Sequence, residues 1–569
     1  MSKSPYLASR RPRSEHIHIA RRTLCGFGLA LAACELPTDP PAPGTLPALT
    51  GWVDLHAHPM SYLGFGGKAI AGGVDVGSPL PVDAACNHHV TARSMEQALG
   101  NDKAVHGGSG LFDNPCGDIL RNQIVNGMEA MLGVPPKPGG AHGASDFALW
   151  PAWNDVLHQK MWIDWVRRAW QNGQRVMVAL AVNNKTLADA FSGPGDGPDD
   201  DAASADLQTD EMKQLVSRHA DFMEVAYGPD DLYRIIASGK LAVVLGMEID
   251  HIGNLAAAST GDEPAVQAEI DRLFNNGIRY IFPVHVLDNP FGGTAIYQTL
   301  FDLSNNRESG HFWDVGCSEP SDGIRFVYTP EGFDAGLAVI KVKLGIDPFR
   351  EPPTPPSCGG SGHVNTRGLS PLGAFAIKEM MRHGMFVDID HMSQATVNGA
   401  LELAEAASHY PLMSGHNALR DAAGSLHSEN DRTLQQLQRI AALHGMFGLG
   451  MAGSSAPSWE ADYSRAVTAM PDPGAIALGS DLNGMVKGAM PPHDSSPMIY
   501  DTSFTRSSLG TRVWDYHVDG VAHYGMLADF LQDVRRGPYH TVYDFVNHSA
   551  DYFYRTWQRC EARKVSIPR

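Results

Sequence analysis

Cysteine is scarce in this chain, seven residues in 569, and no two of them form a CxxC pair. A zinc site built from paired thiolates is therefore excluded as an organising feature. Basic residues are also short: 44 Lys and Arg stand against 63 Asp and Glu, for a formal charge of −19. That balance argues against nucleic acid as a partner, because such proteins gain affinity by neutralising phosphates. Beyond the first residues, no stretch is long and apolar enough to span a bilayer. There is no internal repeat and no separate interaction module. What is present is a hydrophobic fraction of 43%, over a length that suits one large domain with insertions or several ordinary ones.

The N-terminal 50 residues differ from the rest. Residues 1–22 are basic and polar, with Arg10, Arg11, Arg13, Arg21 and Arg22, and a short apolar run from Leu24 to Ala33 follows. The run closes in Leu31-Ala32-Ala33-Cys34, ahead of the Pro-rich stretch ELPTDPPAPGTLP. A basic region, a short apolar region and small residues are the marks of a secretory signal. The Leu-Ala-Ala-Cys ending resembles a bacterial lipoprotein signal with Cys34 as the lipidated residue, and Arg21-Arg22 resembles a twin-arginine signal. The expectation is an exported protein, periplasmic or at the cell surface of a bacterium, touching membrane only through a lipid on Cys34. The alternative is a disordered tail with a chance apolar patch. Export permits disulfides. Cys86 with Cys116 and Cys317 with Cys358 can pair inside loops, leaving Cys560 odd, but spacing does not fix connectivity.

Eight apolar, β-branched runs follow, at 52–56, 175–182, 241–247, 279–286, 385–390, 410–414, 445–450 and 475–480. Between most of them lie stretches with apolar residues at three- and four-residue steps, such as DEMKQLVSRHADFMEVA, AVQAEIDRLFNN, PLGAFAIKEMMRHG, ATVNGALELAEAA and DRTLQQLQRIAALHG. Strands alternating with helices imply a parallel sheet, and eight such units imply a closed (β/α)8 barrel with its active site where the strands end. The connection at 452–474 has the poorest helical pattern. Two stretches break the alternation, residues 60–150 and 287–370, both rich in Gly and Pro and both following a strand end. Loops this long over a barrel mouth act as lids or specificity elements. The predicted division is a leader at 1–50, a barrel at 51–489 and a partly helical extension at 490–569 packed on the barrel.

The ends of these runs carry the chemistry. His56 and His58 close WVDLHAH, and on a strand two residues apart face the same side. Two imidazoles on one face make half of a metal site, although the motif alone is weak. Asp54, two residues earlier, is equally suited to pairing with backbone. Glu248 ends LAVVLGME, where a buried carboxylate needs a cation beside it, either an Arg or Lys or a metal bridged by its two oxygens. His285 ends RYIFPVH, His391 ends MFVDIDH and His416 ends YPLMSGH. His391 or His416 alone would be a hydrogen-bonded core histidine; in succession the two form a second imidazole pair. Asp481, in GSDLNG, can accept a proton as a general base or simply cap the following turn.

Together these motifs resemble the membrane (renal) dipeptidases of the amidohydrolase superfamily. The resemblance is best over Gly368–Arg420, where a strand ends in His-x-Ser and a later one in Ser-x-His-Asn-Ala-x-Arg. GMEIDHI is similar to the family's Glu-x-x-His strand through Glu248 and His251, and GIRYIFPVH to the strand whose His polarises the substrate carbonyl, here His285. It spans residues 241–290 and 368–484, with His56 as an isolated match. Two departures stand out. The first strand has His-x-His where the family has His-x-Asp, and the family's substrate-carboxylate Arg falls on His427, with Arg420 or Arg432 as substitutes.

The resemblance implies an enzyme with two divalent ions, zinc by default, about 3.5–4 Å apart and holding a bridging hydroxide. His56 and His58 would bind one ion, His391 and His416 the other, with Glu248 between them. His285 would stabilise the oxyanion, Asp481 would move the proton, and His285, His427 and Arg420 would contact substrate. The expected substrate is a small molecule, a dipeptide with a D-residue among those allowed. Two alternatives stay open: a hydrolase of N-acyl amino acids, lactones or other small amides and esters, and a surface lipoprotein without catalysis. Oligomeric state is open.

Overall fold

The computed structural model describes residues 46–567, apart from 68, 71, 81–90, 100–150, 155–158, 192–196, 256–261, 330–351, 423–424, 493–498 and 539. Cys25, Cys34, Cys86, Cys116 and the leader lie outside the described residues, as does most of the first insertion.

Eight parallel strands follow one another around a nearly closed barrel in chain order: β1 (Trp52–Ala57), β2 (Gln174–Asn183), β3 (Leu241–Ile249), β4 (Tyr280–Ile281), β5 (Phe386–Val387), β6 (Met413–Asn417), β7 (Met446–Gly450) and β8 (Ile476–Gly479). Each pairs with the next, and β8 returns to β1 through Asp54 opposite Leu478. Between β5 and β6 the ladder thins to a single bridge, Asp388 with Met413. The strands are buried on both faces; all nine residues of β3 are inaccessible. Such strands read as continuous apolar runs rather than alternating ones, which is why all eight are visible in the sequence.

The helices between them start at residues suited to the task. Asp262 caps α3 (Glu263–Asn275), Ser370 caps α4 (Pro371–Arg382) and Ser393 caps α5 (Gln394–Ala406), each accepting a bond from an amide in the first turn. Thr433 and Gln436 cap α6 (Leu434–Ala442) reciprocally. The earlier pair, α1 (Ile163–Gln171) and α2 (Asp201–Arg218), flank β2. The periodic stretch 210–226 is not one helix: α2 begins earlier and ends at Arg218, and Met223–Val225 is a short strand beside β3. The poorly patterned connection 452–474 holds α7 (Ala456–Val467), started by a Ser455–Ser458 capping pair with Pro457 in its first turn.

Two runs are shorter as strands than as apolar sequence. Beyond β4, Pro283 has no amide to donate, and the chain leaves the ladder. Beyond β5, Asp388 and Asp390 turn their carboxylates onto neighbouring groups instead of continuing the strand. Both departures release a loop over the mouth, and each carries a histidine. The described part of the second insertion is a folded element. Val315–Cys317 pairs antiparallel with His363–Asn365, and Cys317 is disulfide-bonded to Cys358.

A helical C-terminal extension closes the opposite end: α8 (Leu527–Arg536), α9 (His540–Val546) and α10 (Ser549–Arg563). Ser549 accepts a bond from the Val53 amide at the start of β1, and Phe553 and Trp557 pack on Phe386 at the start of β5. Cys560, a free cysteine, is buried on the same helix. The barrel is plugged at the amino ends of its strands and open to chemistry at the carboxyl ends.

Candidate metal centre

Seven side chains from six strands meet at the carboxyl ends. His56 lies in β1 with His58 just beyond it, Glu248 is the next-to-last residue of β3, and His416 lies in β6. His285, His391 and Asp481 follow β4, β5 and β8. Three overlapping sets form, each with its ligand atoms within 4.8 Å of one another: His56, Glu248 and His416; His56, His58 and Asp481; Glu248, His285 and His391.

Glu248 divides between two imidazole pairs. Its Oε2 lies 3.2 Å from the Nε2 atoms of both His56 and His58. Its Oε1 lies 2.9 Å from His391 Nε2 and 3.8 Å from His416 Nε2. Within the pairs, the Nε2 atoms are 2.9 Å apart for His56 and His58 and 3.0 Å apart for His391 and His416. Asp481 Oδ1 sits 3.2 Å from His58 Nε2 and 3.6 Å from His56 Nε2. His285 stands further back, its Nε2 3.9 Å from Glu248 Oε1.

The outer ring nitrogens are held from behind. His58 Nδ1 faces the Leu180 carbonyl at 3.2 Å, His285 Nδ1 lies 3.1 Å from Asp250, and His416 Nδ1 lies 3.1 Å from Asp390. His391 Nδ1 is 2.9 Å from the Tyr297 hydroxyl. A partner there fixes the ring and directs the Nε2 lone pair inward. Two of the residues are also held in backbone conformations that L-residues seldom adopt, His391 at φ +64° and Asp481 at φ +50°. Each costs roughly 1–3 kcal/mol, and such strain persists where the surroundings over-determine it.

Charge follows the same division. Burial pushes Glu248 up, but the charges of His56 and His285 and the close approach of the His391 and His56 rings outweigh it, holding the carboxyl well below the usual range. Burial lowers His416, yet its bond to Asp390 and the Glu248 charge win and raise it to about 10. For His58, burial is outweighed by bonds from Asp481 and Glu248, and it rises to about 9. His56, buried and facing His416, falls to about 4.

A cation suits this donor set. Glu248 Oε1 is buried and accepts no aligned hydrogen bond, though three imidazole nitrogens surround it. Pairs of Nε2 atoms lie at hydrogen-bond distance, and where the outer nitrogen faces a partner, as in His58, His391 and His416, the Nε2 atom presents a lone pair. Four imidazoles and a two-oxygen bridge are ligands for two borderline divalent ions.

Other sequence candidates lie elsewhere. His251 faces Asp201 at 3.5 Å, and its amide donates to the same carboxylate. Arg420 is buried, with its guanidinium on the carbonyls of Asp322, Ser428, Glu429 and Asp431 and on the Gln394 amide oxygen. His427 is half-buried with its carbonyl accepting from Arg325 and Phe326, and it is absent from the converging sets among the described residues. Arg432 is fully buried and bound to Asp390. Asp54 accepts from Ser480, Tyr524 and the His56 amide, tying β1 to β8 and to the extension. Asp250, Asp390 and Tyr297 were not singled out from the sequence. The alternation Asp388-Ile389-Asp390-His391 was the available signal for one of them.

Comparison with known proteins agrees with this geometry. The profile of the membrane dipeptidases (peptidase family M19) matches residues 357–449, the stretch that carries His391 and His416. Two distant relatives by sequence are dipeptidases. Dipeptidase ataJ of Aspergillus terreus is 21% identical over 314 residues, 54% of this chain and 62% of that protein. Dipeptidase tcpJ of Claviceps purpurea is 21% identical over 41% of this chain and 36% of its own length. The chain thus spans less than two thirds of these relatives. An amidohydrolase from Pseudomonas aeruginosa shares 11% identity over 70% of this chain and 92% of that one, with a TM-score of 0.41. The described residues form a nearly closed parallel (β/α)8-like barrel that carries a His, Glu and Asp cluster compatible with two ions.

Proposed function

We propose that this protein is a zinc-dependent hydrolase that cleaves the peptide bond of dipeptides. One observation carries the reading: Glu248 presents one oxygen to His56 and His58 and the other to His391 and His416, as a bridge between two ions requires. Bound divalent ions supply a water activated near neutral pH and a Lewis acid for the scissile carbonyl. The chain supplies the rest. His285 is backed by Asp250 at Nδ1, and the Glu248 and Asp250 charges outweigh burial to favour its protonated ring, which carries a proton on Nε2 as well and can donate it to the substrate carbonyl oxygen. Asp481 is placed by its left-handed backbone beside His56 and His58, where its carboxylate can take a proton from the attacking water and return it to the leaving amine.

The test is hydrolysis of a dipeptide panel, L-L and L-D, by zinc-loaded protein beside Glu248→Gln. Cleavage that disappears in the variant together with bound zinc is the expected result. Two ions bound and no dipeptide cleaved would sink the substrate assignment and leave the centre.

A second reading keeps the centre and changes the bond, to N-acyl amino acids, lactones or other small amides and esters. It is favoured by Arg420, whose guanidinium is already spent on four carbonyls and Gln394 and is not free for a substrate carboxylate. Blocking the substrate's C-terminal carboxylate separates the two. A large loss of rate supports the dipeptidase, and an unchanged rate supports the alternative. Export belongs to the same proposal, and the Cys317–Cys358 disulfide suits an oxidising compartment.

A further inference from the structure

We propose that Tyr297, carried by the insertion after β4, is the positioning residue for His391, and that this insertion sets the affinity of one half of the centre. The proposal rests on reading the cluster as a two-ion site. The outer nitrogens of His58, His285 and His416 face groups of the barrel: Leu180 in β2, Asp250 just after β3 and Asp390 just after β5. His391 alone faces a side chain of the insertion, the Tyr297 hydroxyl at 2.9 Å.

The contact is part of a longer seam. Thr294 forms a bridge with Met392, and the His391 carbonyl accepts from the Ala295 amide at 2.7 Å and from Thr294 Oγ1 at 3.0 Å. On the other side, the His391 amide donates to Asn430 Oδ1 at 3.0 Å. A ligand in a strained backbone conformation is therefore held from both sides by chain outside the barrel strands. Its partner differs in chemistry as well as origin. When His391 Nε2 faces a cation, the ring proton sits on Nδ1 and Tyr297 Oη accepts it. A neutral hydroxyl raises the basicity of an imidazole less than the carboxylate behind His416 does. His391 is then the weaker ligand of its pair, and it depends on the insertion for orientation.

The experiment is a cobalt(II) titration of the metal-free full chain and of Tyr297→Phe, read by d–d absorption and by competition with a chelator. Wild type should bind two ions. In Tyr297→Phe one binding constant should weaken roughly 10–100-fold, the usual effect of losing a ligand's outer partner, while the other stays unchanged. The absorption band of the weakened ion should shift, and the melting midpoint of the metal-free variant should match wild type. Two constants equal to wild type would overturn the proposal. So would equal weakening of both with a lowered metal-free midpoint, since that reports a loosened loop. Wild type that binds no cobalt would instead overturn the two-ion reading itself.

Discussion

Asp481, proposed above as the general base, is held in a backbone conformation that carries a cost. It stands two residues beyond β8, at φ +50°, with its amide bonded to the His56 carbonyl and Oδ1 within 3.6 Å of both first-strand imidazoles. Asp481→Asn preserves shape and removes the ability to take a proton. We expect kcat to fall by about 10²–10⁴-fold with both ions retained, read by elemental analysis beside steady-state kinetics. Loss of an ion in that variant would recast Asp481 as a ligand. At this scale the sequence showed the inner residues and hid those behind them. His56, Glu248, His391 and His416 each end an apolar run, where a polar residue is conspicuous. Asp250 and Asp390 lie one or two residues away on the same strand ends, and only the fold decides which carboxylate faces His285 or His416. Tyr297 lies in a Gly-rich insertion with no periodicity to place it.

Glu429 shows how separate elements are joined around the mouth. It is fully buried, and its carboxylate accepts amides from three places: Ile296 beside Tyr297, Asn365 in the short hairpin and Gln394 at the start of α5. Burial pushes its pKa up to about 8, because the three amides only partly offset the cost of a charge there. The folded value lies above the unfolded one. The favourable contribution is therefore complete below the unfolded value and is lost as pH rises through about 8. Glu429→Gln places an amide NH2 against a backbone N–H and should cost about 1–3 kcal/mol at low pH. The gap between variant and wild type, measured by urea unfolding across the range, should narrow toward alkaline pH. A gap that stays constant would mean that Glu429 carries the same charge folded and unfolded across that range, so that burial does not raise its pKa. Elements with a strong period, such as α3 to α6, were legible in the sequence. α7 was obscured because its start is written in caps and proline more than in apolar spacing, and α2 was misplaced because the strand Met223–Val225 continues its apolar pattern.

The whole molecule separates stability from chemistry along the barrel axis. Eight runs in order specify the barrel because a parallel strand buried on both faces must be apolar throughout, and the turn to a polar residue marks where it surfaces. The plug at the other end is less specific in sequence, since aromatic residues on α10 could pack against many surfaces. In the structure Phe386 meets Phe553 and Trp557 with ring centres 4.7 and 5.3 Å apart. Trp557 is fully buried, and Trp557→Ala should destabilise the chain by about 3–5 kcal/mol. The candidate metal centre lies at the carboxyl ends of the strands, whereas Trp557 packs on Phe386 and Phe553 at the amino ends. Removing zinc should destabilise independently, by about 2.7 kcal/mol per ion when free zinc stood at 100 times Kd. Distant sites of this kind add to within about 0.5 kcal/mol. The chelator-induced drop in unfolding free energy should therefore be the same in Trp557→Ala as in wild type, with zinc stoichiometry unchanged. A smaller drop in the variant would show that the plug and the centre are coupled through the strands, so that the floor of the barrel helps to hold the ligands at its mouth.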